Sequence, residues 1–530
     1  MTPADAIVIG AGPNGLVAAN VLADHGLSVV VFEAQEQPGG AVRSAQATLP
    51  GYEHDLFSAF YPFAVASPAI RRLRLEEHGL VWRRAPLVLA HPTAAGPTAV
   101  LSTDLDTTAA SLDAFAAGDG DAWRALYELW LRVAEPFMDA FATPFPPVRA
   151  GARLGARLGP RAALRLARMA LLPARRMGEE HFRGAGGSLL LTGNALHADL
   201  TPESSLGGGF GWILCAIGQQ RGFPVPQGGA GRLTDALVRR LESRGGRVMC
   251  ASRVDRIIVR RGRAAAVRLA DGSEVAAPRG IVADTGAPQL YLELVGSEHL
   301  PGRVLEGLRK FQYDNSTIKL DWALTAPVPW SDPVVRQAGT VHIGESMDHL
   351  TTATTELERR LIPGRPFLLF GQYAAADDTR APAGADTAWA YTHVPQQALG
   401  DSRGELTGSW DEHELERFAE RMEDEIERLA PGFRNRVAAR RIAGPRELEA
   451  ANANLVNGAI NGGTAKLHQQ LIFRPVPGLG RPETPIRGLY LGSASAHPGG
   501  GVHGAPGSNA ARALLAHQRL RLSRPGRVSR

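Results

Sequence analysis

The sequence predicts an α/β protein: a parallel, dinucleotide-binding sheet with a mixed α+β portion inserted into it. Three observations carry this. Residues 5–16, Asp-Ala-Ile-Val-Ile-Gly-Ala-Gly-Pro-Asn-Gly-Leu, pass from an apolar strand through three glycines into a helix. Apolar, β-branched stretches return at 281–284 and 489–494, as strands of the same sheet would. The long stretches 65–224 and 290–480 carry helical and alternating patterns and no second glycine fingerprint.

The first stretch sets the chemistry. Gly10 permits the turn, Gly12 lets backbone approach a pyrophosphate, and Gly15 allows helix and strand to pack closely. Pro13 and Asn14 open the helix, whose N-terminus attracts phosphate. A lone Gly-x-Gly-x-x-Gly is weak evidence, and its bland reading is a glycine-rich turn. Here Val17–Ala23 continues as a helix, Gly26 ends it, and Ser28–Phe32 is a second buried strand. Glu33, followed by Ala34, then places a carboxylate where it can bind a ribose hydroxyl. Strand, turn, helix, strand and carboxylate agree on a dinucleotide.

Composition sets bounds around that site. At 530 residues the chain is too long for one compact core, and 44% hydrophobic content supports a large one. A formal net charge of +5 is small for this length and gives no basic tract for nucleic acid. Cys215 and Cys250 lack the Cys-x-x-Cys spacing of zinc or dithiol sites, so buried inert thiols and no metal are expected. The first strand begins within a few residues of Met1, leaving no room for a signal core, which predicts a cytoplasmic protein. No apolar run reaches the ~18 residues of a membrane-spanning helix.

Along the chain, Gly39-Gly40 follow Glu33 closely and permit a second backbone approach to an extended ligand, while Arg43 can offer a guanidinium to a diphosphate. His54 and Asp55 lie in an apolar segment and are read as strand-end hydrogen-bonding groups. Trp123, Tyr127, Trp130, Phe137, Phe141 and Phe145 recur on one helical face, either as core or as the wall of an apolar tunnel. Between Arg149 and Arg176, arginines alternate with leucines at helical spacing, and Gly159-Pro160 divides the segment into two helices. Such a face is a solvated surface or a peripheral contact with an anionic membrane at the inner face. His197 is a candidate to face the substrate, against the commoner structural role of a lone histidine.

The chain then returns to the sheet. A helix runs to about Glu242, strands follow at 247–250 and 254–260, and an Asp271-Gly272 turn precedes the strand at 281–284. Near the end, Leu489–Ala494 meets His497-Pro-Gly-Gly-Gly-Val-His-Gly-Ala-Pro-Gly, whose exposed amides and following helix N-terminus suit a group that gains negative charge.

The first fingerprint, Glu33 and Gly39-Gly40 resemble the FAD flavoprotein superfamily that contains amine oxidases and phytoene desaturases. The C-terminal string resembles phytoene desaturase-like proteins, most closely the pyridine nucleotide-disulfide oxidoreductase domain-containing protein 2 group. The resemblance implies non-covalent FAD in a discontinuous Rossmann-type domain of residues 1–64, 225–289 and 481–530. The substrate domain is then 65–224, mostly helical, and 290–480. It implies further that Val254 binds adenine through its backbone, and that Gly492-Ser493 replaces the usual Gly-Asp at the ribityl or diphosphate. Gly500, Gly501 and Val502 would adjoin the flavin. Asn315–Trp322 looks like the Ser-x-x-Lys strand of amine oxidases, which makes Lys319 a catalytic candidate beside His497 and His197. Lys319 is one of only three lysines in the chain.

The activity implied is transfer of a hydride from an apolar, carotenoid- or lipid-like substrate to flavin N5, creating a double bond, with oxygen or a quinone as acceptor. Two alternatives stand beside it: oxidation of an amine, and an FAD-binding regulator without turnover.

Overall fold

A computed structural model describes residues 4–522, with side chains through 519. The glycine turn joins the strand Ala6–Ile9 to the helix Pro13–Ala23. Those elements lie at the centre of a five-stranded sheet ordered Leu489–Leu491, Gly280–Ala283, Ala6–Ile9, Val29–Phe32, Arg247–Met249. Every pairing is parallel, with Ile7 opposite Ile281 on one side and Val30 on the other. The inner strands are buried on both faces, which explains their unbroken Ile-Val runs, whereas the edge strand Arg247–Met249 is largely exposed.

One face is covered by the helices Pro13–Ala23, Gly231–Ser243 and Ala505–Leu522 through Leu16, Val17, Leu237 and Leu514. The other carries the antiparallel meander Val254–Arg260, Arg263–Leu269 and Glu274–Ala276, packed through Ile257 and Val267. Three separated segments of chain thus build one sheet, and four strands end at the same edge in Gly10, Glu33, Asp284 and Gly492. Ligands of open α/β sheets bind outside this carboxyl edge.

A seven-stranded sheet forms the second layer, ordered Val437–Ala443, Ser316–Leu324, Asp386–Val394, Leu368–Gln372, Ala338–Ile343, Leu87–His91, Ala99–Leu101. Two of these strands come from the segment 65–224, whose other elements are chiefly helices. Leu87–His91 and Ala99–Leu101 are short runs buried throughout. Periodicity alone cannot distinguish such runs from buried helix.

Alternation along Ser316–Leu324 divides the sheet's two faces. Ile318, Leu320 and Trp322 pack with Phe418, Met422 and Ile426 of the helix Glu412–Leu429. Thr317, Lys319 and Asp321 point the other way, in register with His393, Tyr391 and Trp389. The Trp389 indole lies across Gly371, where a Cβ would meet it at 2.3 Å, so that strand position admits no side chain.

Five of the six aromatics of the stripe, Trp123 to Phe141, belong to the 23-residue helix Asp119–Phe141, whereas Phe145 lies beyond its end. Its first part is core: Trp123 and Trp130 are buried and donate their indole N–H groups to Gln219 (3.0 Å) and Gln220 (3.3 Å). Its last part reaches the C-terminal glycine string, with Phe141 stacked on Phe63 at 5.8 Å and edge-on to His503 at 5.3 Å. The arginine-rich segment breaks at Gly159 (φ 72°) into Val148–Leu158 and Pro160–Leu171. Arg153, Arg157 and Arg168 pair with Asp139, Glu135 and Glu180, while Val148, Leu164 and Leu171 are exposed. Among the described residues, no helix is long and apolar enough to cross a membrane.

Candidate functional site

At the carboxyl edge of the parallel sheet, the buried Glu33 carboxylate accepts hydrogen bonds from Ala11 N (2.8 Å) and Gln35 N (2.9 Å). Part of its capacity is therefore spent on the turn it was expected to complement. A residue the sequence reading missed lies opposite. Asp284 ends its strand against the same turn, and its Oδ2 accepts from Gly15 N at 2.8 Å. Burial, outweighing that bond, pushes its carboxyl up to about 7. A Cβ at Gly10, Gly12 or Gly15 would come within 2.9, 2.7 or 3.1 Å of Asp284 atoms, so the three glycines make room for this side chain as well as for a ligand. The available signal was position: Asp284 follows a strand that returns to the sheet beside the fingerprint.

Gly39 and Gly40, both at positive φ (119° and 54°), stack the second turn on the first. Gly39 N donates to Ala11 O at 2.8 Å, and a Cβ on Gly40 would lie 3.1 Å from Gly12 Cα. Arg43 differs from expectation. It donates to the carbonyls of Gly40 (3.0 Å) and Ala451 (2.8 Å) and lies over the Phe57 ring, tying the loop to the asparagine-rich segment instead of holding its guanidinium free. Asn454 completes the rim, donating to Asp284 O (3.0 Å) and accepting from Gly286 N (2.9 Å). Pro13 begins the helix, and the Asn14 Oδ1 beside it is buried without a partner. Val254 opens the meander two residues after Ser252, whose amide donates to Glu33 O at 2.8 Å.

Gly492 has a packing role here. Its N–H donates to Ala283 O, and a Cβ would lie 2.9 Å from Val282 Cγ1 and 3.2 Å from Ala510 Cβ. Ser493 Oγ accepts from Ser495 N at 3.2 Å.

Between the two sheets lies a buried charged hub. Asp55 accepts from Arg380 (3.0 and 3.3 Å), Tyr373 OH (2.7 Å), Ser44 Oγ (2.7 Å) and Ala230 N (2.7 Å). His54, next to it, shares a hydrogen bond with Thr48 Oγ1 and stands 4.0 Å from Asp321. Lys319 is buried, bonds to Asp321, and has its ammonium 5.9 Å from the Trp389 ring. Burial lowers the Lys319 pKa, and Asp321 opposes the shift. Asp321 also pairs with Arg441 at 3.2 Å. The lysine is thus held in place by a carboxylate of its own strand.

The two histidine candidates sit in different settings. His197 Nε2 lies 2.9 Å from His342 Nε2, beneath the helix Ala185–Ala195, whose Gly193 makes room for the His342 ring. His497 is 9% exposed, with its ring 6.0 Å from Phe145. The Thr143 carbonyl is close by, but neither ring nitrogen reaches a partner in hydrogen-bonding geometry.

Burial holds six imidazoles neutral far below their ordinary range, His54, His91, His393, His497 and His503 to about 4 and His197 to about 3. His342, also buried, is likewise held well below it. In the unfolded chain these seven take up protons below pH 6.5, so stability is lost as pH falls from 6.5 towards 4. Asp199, Asp284 and Asp386, raised by burial to about 7, act oppositely between their ordinary 3.8 and 7. The histidines outnumber them. Thermal unfolding is therefore expected at a lower temperature at pH 5 than at pH 7, and an equal or higher midpoint at pH 5 would contradict this.

Residues 8–73 match the model of an NAD(P)-binding Rossmann-like domain. Across 96% of the chain and 93% of the relative, identity is 29% to pyridine nucleotide-disulfide oxidoreductase domain-containing protein 2 of Mus musculus. It is 24% to the lycopene-forming phytoene desaturase of Pseudescherichia vulneris, over 96% of the chain and 98% of that protein. The chain is an oxidoreductase homologous to both. The solved structure of putrescine oxidase bound to putrescine shares the fold, with a TM-score of 0.58 and 17% identity over 98% of this chain and 99% of that one. In this oxidoreductase both cysteines are free, Cys215 buried and Cys250 partly so.

Proposed function

We propose that the chain binds FAD non-covalently and removes hydrogen from a largely apolar substrate to form a double bond, with oxygen or a quinone as acceptor. One observation carries the reading: the Gly10–Gly15 helix start, the Gly39-Gly40 turn and the buried Glu33 carboxylate converge at one sheet edge. Their chemistry fits a dinucleotide. Glu33 retains acceptor capacity for ribose hydroxyls, the bare Gly12 and Gly40 backbones face each other, and the unpartnered Asn14 Oδ1 awaits a donor. Val254 and Ala34, and Gly500 to Val502 at the opposite end, would complete the cradle. When bound, FAD supplies a two-electron acceptor for hydride.

The protein's own groups supply position and field. Lys319, held by Asp321, presents its amine on the sheet face that also bears Trp389, Tyr391 and His393. The desaturase relative supports an apolar substrate. Lys319 and the fold shared with putrescine oxidase favour amine oxidation as a second reading. Anaerobic titration separates them. Purified protein is expected to be yellow and to bleach with a polyene precursor; bleaching by amines alone supports the second reading, and no bleaching by either refutes turnover.

Exposed Val148, Leu164 and Leu171 beside Arg149, Arg161 and Arg165 support peripheral contact with an anionic membrane. Flotation should retain the protein on anionic vesicles, less so at high salt; no retention removes this contact.

A further inference from the structure

A buried polar group without a partner is costly, about 1–3 kcal/mol, and His497 has two such nitrogens. Its ring lies 6.0 Å from that of Phe145, and the Arg474 charge acts on it. Arg474 is 1% exposed, and its guanidinium donates to carbonyls: Ala494 (2.7 Å), Asn461 (2.8 Å), Thr464 (3.0 Å) and Gly463 (3.3 Å). Among the described residues it makes no ion pair within 4.0 Å. Gly499 lies directly on it, since a Cβ there would be 3.4 Å from Arg474 Cζ. The carboxylate that acts on it, Asp314, is consumed on the far side of the loop by the amides of Ile460 (2.8 Å) and Asn461 (2.9 Å). His503, the other titratable group here, is neutral and bonded to Gly500 O and Ala505 N. This end of the site therefore carries one positive charge without an ion-pair partner near one unsatisfied, neutral imidazole.

We propose that His497 anchors an oxygen function, hydroxyl or carboxylate, on an otherwise apolar ligand, and that the nearby Arg474 charge disfavours protonated amines. A hydroxyl can accept from the ring N–H or donate to the bare ring nitrogen; a carboxylate accepts from the N–H and adds attraction to the guanidinium. An ammonium meets repulsion and finds one acceptor at most. The inference rests on the proposed apolar-substrate site and refines it, but it does not depend on which cofactor binds.

The test titrates the protein as purified with decanol, decanoate and decylamine, reading affinity by calorimetry and flavin content separately by absorbance after denaturation. Decanol or decanoate is expected to bind at least about 10-fold more tightly than decylamine, the effect of one well-placed polar contact. His497→Phe should collapse that ratio to within about 3-fold, and His497→Gln, which keeps a donor and an acceptor, should preserve most of it. Equal affinities, a preference for decylamine, or an unchanged ratio in His497→Phe overturns the proposal. Loss of flavin from His497→Phe with the ratio unchanged also overturns it, because the imidazole's partner is then the cofactor. A wild-type protein without flavin that keeps the preference refutes the FAD reading and leaves this one standing.

Discussion

Asp55→Ala is expected to destabilise the protein by about 3–5 kcal/mol, the cost of leaving a buried charge without its partner. Arg380, 1% exposed, would retain Asp377 at 2.8 Å but lose both bonds to Asp55. The loss is not confined to one pair. Asp55 sits in the short hairpin Ser44–Ala45/His54–Asp55, while Arg380 and Tyr373 lie after the strand Leu368–Gln372 of the large sheet. Ala230 precedes a helix of the nucleotide-binding layer. One carboxylate thus ties together the two sheets and the loop between them. Asp55→Asn keeps an acceptor and should lose less. Thermal unfolding checks both: a midpoint for Asp55→Ala within about 1 °C of wild type would mean that the hub adds nothing, because ~1 kcal/mol already moves the midpoint of a 150–250-residue domain by ~2–4 °C.

Gly15→Ala should abolish nucleotide binding while leaving the large sheet intact. The added methyl would stand 2.1 Å from Gly10 O and 3.1 Å from Asp284. Real Cβ contacts do not occur at the first distance, so the helix must retreat from the strand. That movement opens the turn, breaks the 2.8 Å bond from Gly15 N to Asp284, and turns the helix N-terminus off the phosphate position. Flavin released on denaturation should fall below about a tenth of wild type, since a 1.4 kcal/mol loss already gives tenfold. Circular dichroism should change little. Stoichiometric flavin in Gly15→Ala would show that the turn does not cradle the cofactor.

The parallel sheet was legible because each of its strands is defined by local chemistry. Ala6–Ile9 and Val29–Phe32 are continuous apolar runs closed by glycine or an acid, and their spacing specifies a helix between them. The Ser316–Leu324 alternation was equally plain, as was the helix break at Gly159. Leu87–His91 and Ala99–Leu101 were not, since a few buried residues look alike as strand or helix until partners are known.

For the site, residue type and spacing determined which groups could bind a dinucleotide: Gly10, Gly12, Gly15, Glu33, Gly39 and Gly40. Tertiary structure alone decided how polar groups are spent, because a hydrogen bond depends on a partner that the chain brings from hundreds of residues away. Asp284 entered the turn 269 residues after Gly15; Arg43 was taken by Ala451, 408 residues on. Lys319 acquired a carboxylate two positions along its own strand, whereas His497 acquired none. Sequence named the groups, and the fold determined which of them remain free to meet a ligand.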